Sequence, residues 1–84
     1  MSKGQRRNTR SEDLDLGALG RRIRELRGFD LTQEGFAKEL GISQSQLSKF
    51  ERGAAAPPAE ILFALKKRFR VSIDWLLSGE REKS

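Results

Sequence analysis

The spacing between Gly41 and Ser43 constrains this chain more than any other feature of its sequence. Only Ile42 separates the two residues. Glycine is a common residue at helix ends, and Ser43 with Gln46 forms a capping box of the kind that begins a helix. The sequence therefore predicts two short helices that meet at a tight turn within residues 32–52.

The same kind of start signal recurs three more times. Asp15, Thr32 and Ser72 are good N-cap residues, and an apolar residue one position before each cap can pair with another four positions after it. Apolar residues then repeat at intervals of three and four, as expected for helices with one buried side. The stripes are Leu16, Leu19, Ile23 and Leu26; Phe36, Ala37 and Leu40; Ile61, Leu62, Leu65 and Phe69; and Ile73, Leu76 and Leu77.

Glycine and proline mark the boundaries of the remaining helices. Gly28 and Gly79 are the predicted ends of the first and last helices. The stretch AAAPP after Gly53 breaks the chain, because proline lacks an amide proton and restricts the residue before it. A fourth helix is predicted over residues 59–69. We expect an all-α fold, a compact five-helix bundle that occupies residues 14–80 of this 84-residue chain.

Both ends of the chain are predicted to be tails. Residues 1–13 are basic and have almost no apolar side chains, so they cannot bury enough surface to offset the entropy of ordering. Their basic residues are Lys3, Arg6, Arg7 and Arg10. We interpret this segment as a flexible basic tail, either simply disordered or an arm that follows DNA phosphates. Residues 81–84 form a short C-terminal tail, and no sensory or protease-like domain is expected beyond it.

Composition argues against most catalytic and metal-binding classes. The chain has no Cys and no His, so it lacks thiolate nucleophiles, disulfides, the usual general base and most zinc ligands. We therefore predict that it is not an enzyme and uses no metal or cofactor, and no small-molecule ligand is evident. The sequence contains no run of about 20 apolar residues and no signal peptide, so we expect a cytoplasmic protein without a membrane partner.

The charge of the chain and the outward side of its third helix indicate nucleic acid. A net charge of +5 is by itself only a weak sign of a polyanionic partner. On a helical wheel the polar side of residues 43–52 carries Gln44, Ser45, Ser48, Lys49 and Arg52. Glutamine can pair with adenine, serine serves several acceptors, and lysine reaches guanine or phosphate. Each of these side chains is ordinary on a solvated helix, but their combination with two capped helices favours base reading in the major groove.

Two segments resemble the phage repressor and Cro (Xre-type) family of helix-turn-helix regulators: LTQEGFAKELGISQSQLSKFERG and VSIDWLLSGE. The resemblance covers nearly all of residues 16–80 and implies a lambda-repressor-like domain that binds double-stranded DNA. It implies that bases are contacted by Gln44, Ser45 and Lys49, with help from Ser48. It also implies that phosphate and bracing contacts belong to Thr32, Gln33, Gln46 and Arg52, with Gln33 bracing Gln44.

The same resemblance pairs an arginine of the first helix with the glutamate near the end of the third. The matching residues are Arg27 and Glu51. The helical wheel agrees, because it places Glu51 near the apolar side, where an unpaired carboxylate is unfavourable. An exposed glutamate is the alternative.

Four residues depart from the family's usual pattern: Gly35, Pro58, Lys66 and Arg70. Gly35 should weaken the second helix by about 1 kcal/mol relative to alanine. Pro58 replaces a small polar cap, and Arg70 stands where a helix-ending glycine is frequent. These departures put in question the local geometry around the fourth helix.

Two aromatic residues are candidates for self-association. Phe63 falls outside the main stripe of its helix, and Trp75 lies in a short terminal helix. Core packing is the alternative for both, because a small domain needs its aromatic residues to build a core. A dimer is attractive because a twofold protein reads a palindrome with half-sites about 34 Å apart.

The function that we expect from these features is transcriptional regulation. The chain would act as a repressor that binds a palindromic operator as a homodimer and blocks polymerase by occupancy. Gln44 favours half-sites that contain adenine. The alternative is a protein-interaction module, such as an antitoxin or adaptor built on the same fold.

Overall fold

The computed structural model describes residues 14–80, and that part of the chain contains five helices and no strands. They are α1 (Leu16–Arg27), α2 (Gln33–Leu40), α3 (Gln44–Glu51), α4 (Ala59–Phe69) and α5 (Ile73–Ser78). The all-α, five-helix fold is thus confirmed. The tails that we expect at residues 1–13 and 81–84 lie outside the described residues.

Side-chain caps begin four of the helices at the residues that the sequence predicts. Asp15 accepts from the backbone N–H of Ala18 at the start of α1. Thr32, Ser43 and Ser72 accept in the same way at the starts of α2, α3 and α5. Each cap satisfies one of the backbone donors that a helix leaves unpaired at its N-terminus. Local sequence therefore sets these boundaries.

The start and the end of α4 differ from this pattern, as the departures at Pro58 and Arg70 led us to expect. Pro58 occupies the N-cap position and makes no side-chain cap hydrogen bond. Arg70 ends the helix in the left-handed conformation, with φ 59°, and its N–H donates to the carbonyl of Lys66. The helix end keeps the geometry that glycine usually provides, but with a side chain that disfavours it.

The core lies where α1, α2, α3 and the C-terminal helices meet. Its fully buried side chains are Leu19, Ile23, Phe36, Leu47, Leu65 and Leu76. Phe69 packs its ring edge-on against Phe36, with centroids 5.7 Å apart. The core positions α3 by packing it against both α1 and α2. Within residues 14–80 no helix is long and apolar enough to span a bilayer.

The two aromatic candidates for self-association have different surroundings. Trp75 is 9% exposed and belongs to the core cluster, which favours the core alternative for this residue. Phe63 is 58% exposed on α4.

A side-chain hydrogen bond also joins α1 to α5. Arg22 Nη1 donates to the carbonyl of Leu76 at 2.9 Å.

Candidate nucleic-acid interface

One side of α3 faces solvent and carries the residues that we predicted to read DNA. Gln44, Ser45 and Lys49 are exposed, and Ser48 is half-buried. The opposite side of the helix is buried through Leu47, Phe50 and Glu51. The core therefore holds α3 by one side and leaves a polar, basic side for a partner.

The N-terminus of α3 is fixed by a complete capping box. Ser43 Oγ accepts from the N–H of Gln46, and Gln46 Oε1 accepts from the N–H of Ser43, both at 3.0 Å. These two bonds satisfy donors at the helix start and set the direction of the first turn. Gln46, predicted as a phosphate or bracing residue, thus has its carbonyl oxygen occupied within the helix itself.

A two-point ion pair anchors the far end of α3 to α1. Arg27 Nε donates to Glu51 Oε2 at 2.8 Å, and Arg27 Nη2 donates to Glu51 Oε1 at 3.0 Å. The side chains are 16% and 4% exposed. Arg27 Nη1 also donates to the carbonyl of Leu31 at 3.2 Å. Parallel bonds of this kind fix both position and orientation, so the pair holds α3 at a defined place on α1.

Two further hydrogen bonds extend this ion pair to the exposed polar side of α3, on which Gln44 lies. Gln33 Nε2 donates to Glu51 Oε1 at 3.1 Å, and Gln44 Nε2 donates to Gln33 Oε1 at 3.3 Å. The bond between Gln33 and Gln44 joins the two residues that the family resemblance pairs. The bond between Gln33 and Glu51 was not anticipated. Its partners lie 18 positions apart in the chain, and neither the helical period nor the spacing of residues signals that contact.

The remaining predicted contact residues lie around this chain of hydrogen bonds. Arg52 follows α3, and its Nε donates to Ser48 Oγ at 3.2 Å. Thr32 caps α2, where its Oγ1 accepts from the N–H of Gly35 at 2.9 Å. The hydrogen bond between Gln33 and Gln44 shows that the N-termini of α2 and α3 lie close together.

The electrostatics of this surface suit an anionic partner. Lys49 and Arg52 place positive charge beside the exposed amide and hydroxyl groups of α3. The N-termini of α2 and α3 add the partial positive charge of unpaired backbone N–H groups. Phosphates can be held by charge and backbone donors, while amide and hydroxyl groups remain available for base edges.

Comparison with known proteins places this fold in a family. Residues 21–76 match the family described as helix-turn-helix. The transcriptional activator BcrR of Enterococcus faecalis is 45% identical over 60 residues, which are 70% of this chain and 29% of BcrR. The transcriptional regulator DicA of Escherichia coli is 41% identical over 66 residues, which are 77% of this chain and 49% of DicA. The chain thus spans less than half of these two relatives.

A solved structure gives the same result at the level of the fold. The c2 repressor of Salmonella phage P22, determined in complex with a synthetic operator, superposes with a TM-score of 0.66 and 36% sequence identity. The match covers 74% of this chain and 96% of that one. With the family match, the capped helix pair and the five-helix bundle in agreement, this chain belongs to the Xre-type helix-turn-helix family, to which the phage repressors belong.

Proposed function

We propose that this protein is a transcriptional regulator that binds double-stranded DNA with sequence specificity and inserts α3 into the major groove. The observation that carries the proposal is the chain of hydrogen bonds that runs from Arg27 and the buried carboxylate of Glu51 to the exposed amide of Gln44. A solvated glutamine needs no such support, whereas a side chain that reads a base gains from being held in place. The operator complex of the P22 c2 repressor, a related protein, supports the same conclusion.

We divide the contact residues into those that read sequence and those that position the protein. Gln44, Ser45, Ser48 and Lys49 read base edges from one side of α3. Phosphate contacts and bracing belong to Thr32, Gln33, Gln46 and Arg52. Phosphate contacts set the register on the duplex and carry no sequence information directly, so the two groups give different phenotypes when substituted.

The proposal includes a homodimer on a palindromic operator, with repression by occupancy of the polymerase site in the cytoplasm. Glu60, Phe63 and Lys67 lie three and four residues apart on α4, so they share one face, and all three are exposed. Lys67 Nζ lies 5.6 Å from the centre of the Phe63 ring. If a twofold axis passes beside Phe63, Glu60 of each copy faces Lys67 of the other. This self-complementary charge pattern supports a dimer through α4.

Selection from a random duplex library tests the proposal. The wild-type protein, Gln44→Ala and Lys49→Ala are then compared on the selected duplex and on a scrambled duplex across a salt series. Lys66→Ala is the control for lost charge, because Lys66 is exposed on α4 and not on α3. We expect a palindromic site bound about 10³-fold or more tightly than the scramble. That ratio should collapse in Gln44→Ala and Lys49→Ala and persist in Lys66→Ala.

Equal and weak binding of both duplexes would refute the proposal. If the affinity also fell steeply with salt and Gln44→Ala had no effect, the binding would be explained by non-specific attraction of the positive charges to phosphates. In that case a role as a protein-interaction module would explain the function of this protein better.

A further inference from the structure

The amide of a glutamine has two chemically different ends, and the end that faces outward decides what it can read. The oxygen only accepts hydrogen bonds and the nitrogen only donates them. Two such amides, those of Gln33 and Gln44, stand in sequence between the buried carboxylate of Glu51 and the solvent. The identity of the group at the buried end therefore determines the direction of every bond along the chain.

Glu51 is an acceptor at both of its oxygens. Oε2 accepts from Arg27 Nε, and Oε1 accepts from both Arg27 Nη2 and Gln33 Nε2. A carboxylate that is paired with a guanidinium has no proton to donate. Gln33 must therefore turn its nitrogen towards Glu51, and its oxygen is left facing Gln44.

The oxygen of Gln33 imposes the next orientation in turn. Gln44 turns its nitrogen towards Gln33, at 3.3 Å, and uses one of its two N–H groups in that bond. Its second N–H and its oxygen remain for the partner. One donor beside one acceptor is the pattern that matches the N7 and N6 groups of adenine, whereas the N7 and O6 groups of guanine both require donors.

We infer that Glu51 is a positioning residue for base recognition, which fixes the polarity of Gln44 through Gln33 and thereby selects adenine over guanine. The inference rests on the proposed function and adds to it a specificity determinant that touches no base. In Glu51→Gln the buried group can donate as well as accept. Gln33 is then free to turn over, Gln44 can follow, and two outward N–H groups become compatible with guanine.

The experiment measures a ratio of affinities, because a general loss of stability or of phosphate binding does not change a ratio. The probes are the duplex selected by the wild-type protein and the same duplex with guanine at the position where Gln44→Ala abolishes discrimination. We expect the wild type to prefer adenine there by about tenfold or more. In Glu51→Gln that preference should fall at least fivefold.

Glu39→Gln is the matched control. Glu39 also accepts from the Nε of an arginine, Arg68, at 3.0 Å, but on the exposed surface between α2 and α4. The ratio of affinities for the adenine and guanine duplexes in Glu39→Gln should stay within twofold of the wild-type ratio. Circular dichroism and thermal melting establish which variants are folded.

A second variant removes any dependence on the folding of Glu51→Gln. Gln33→Met cuts the chain while leaving both bonds between Arg27 and Glu51 in place, and it should lose the same preference. The inference is overturned if either variant is folded and keeps the wild-type ratio. It is also overturned if the base preferred at the position that depends on Gln44 is not adenine. If the wild type selects no sequence at all, the proposed function itself fails, and the inference fails with it.

Discussion

Gly20 of α1 lies directly against the backbone of Phe50 in α3: a β-carbon on Gly20 would lie 2.5 Å from the carbonyl oxygen of Phe50. The carbonyl of Glu51 is equally crowded against the same point. Only a residue without a side chain lets the two helices approach this closely. The same close approach lies beside Glu51, whose carboxylate accepts from Arg27 of α1.

Gly20→Ala should therefore destabilise the protein by about 1–3 kcal/mol, because the backbone of α3 must move to admit the methyl group. Gly17→Ala is the matched control in the same helix. There the new β-carbon would meet only side-chain atoms of Asp15 and Arg21, at 3.4 and 3.8 Å. It should raise stability by up to about 1 kcal/mol through helix propensity. Urea denaturation followed by circular dichroism measures both, and equal effects would contradict this account of Gly20.

Removing Arg27 should be far more damaging than removing a surface arginine. Arg27→Met leaves the buried carboxylate of Glu51 without its cation, and we expect a loss of about 3–5 kcal/mol in unfolding free energy. Arg68→Met breaks the exposed pair with Glu39, whose side chains are 48% and 41% exposed, and should lose about 1 kcal/mol or less. Chemical denaturation of the two variants measures both losses in unfolding free energy. Similar losses would show that burial does not control the strength of these pairs.

The helix starts could be predicted from sequence because their causes are local. Asp15, Thr32, Ser43 and Ser72 each bond to a backbone N–H three residues later, and that distance in sequence is short enough to recognise. The ends of the helices are also local signals. Arg70 is the exception, because it takes the left-handed conformation that its residue type disfavours.

The site was only partly predictable, because its decisive contacts join distant residues. The exposed side of α3 followed from the helical wheel, but the pair of Arg27 and Glu51 came from family resemblance. The bond between Gln33 and Glu51 came from neither, since it depends on how α2 sits against the end of α3. The spacing of apolar residues also left Phe63 and Trp75 undecided between core and surface.

Arg70→Gly should stabilise the protein, by roughly 0.5–1 kcal/mol. Arg70 has φ 59°, where a β-carbon is unfavourable and glycine is not. Lys66→Gly is the control, because it also removes one positive charge, but from the last turn of α4, where the backbone has ordinary helical geometry. It should destabilise by about 1 kcal/mol. Thermal melting at one ionic strength separates the two effects, and a loss in both variants would refute the strain at Arg70.

The proposed dimer predicts that two exposed phenylalanines behave differently. Phe63→Ser should weaken cooperative binding to a palindrome relative to a single half-site, by a factor on the order of 5 to 150. Phe29→Ser is the control, because Phe29 is fully exposed between α1 and α2 and lies outside the face of α4. Phe29→Ser should leave unchanged the ratio of the affinity for the palindrome to that for a single half-site. Band-shift titrations with one-site and two-site duplexes measure this ratio. A loss of cooperativity in Phe29→Ser alone would show that the dimer contact lies on another surface.

Charge reversal tests the geometry of that dimer more sharply than removal of the aromatic ring. In the proposed dimer Glu60 faces Lys67 of the second copy, so Glu60→Lys would place like charges opposite each other and cooperative binding should fall. Adding Lys67→Glu to the same chain restores opposite charges in the reversed order, and cooperativity should return. Both residues are exposed, so the single and double variants should fold alike. Sedimentation velocity and the two-site titration provide independent readouts. If the double variant is no better than Glu60→Lys alone, α4 does not pack against its counterpart about an axis beside Phe63.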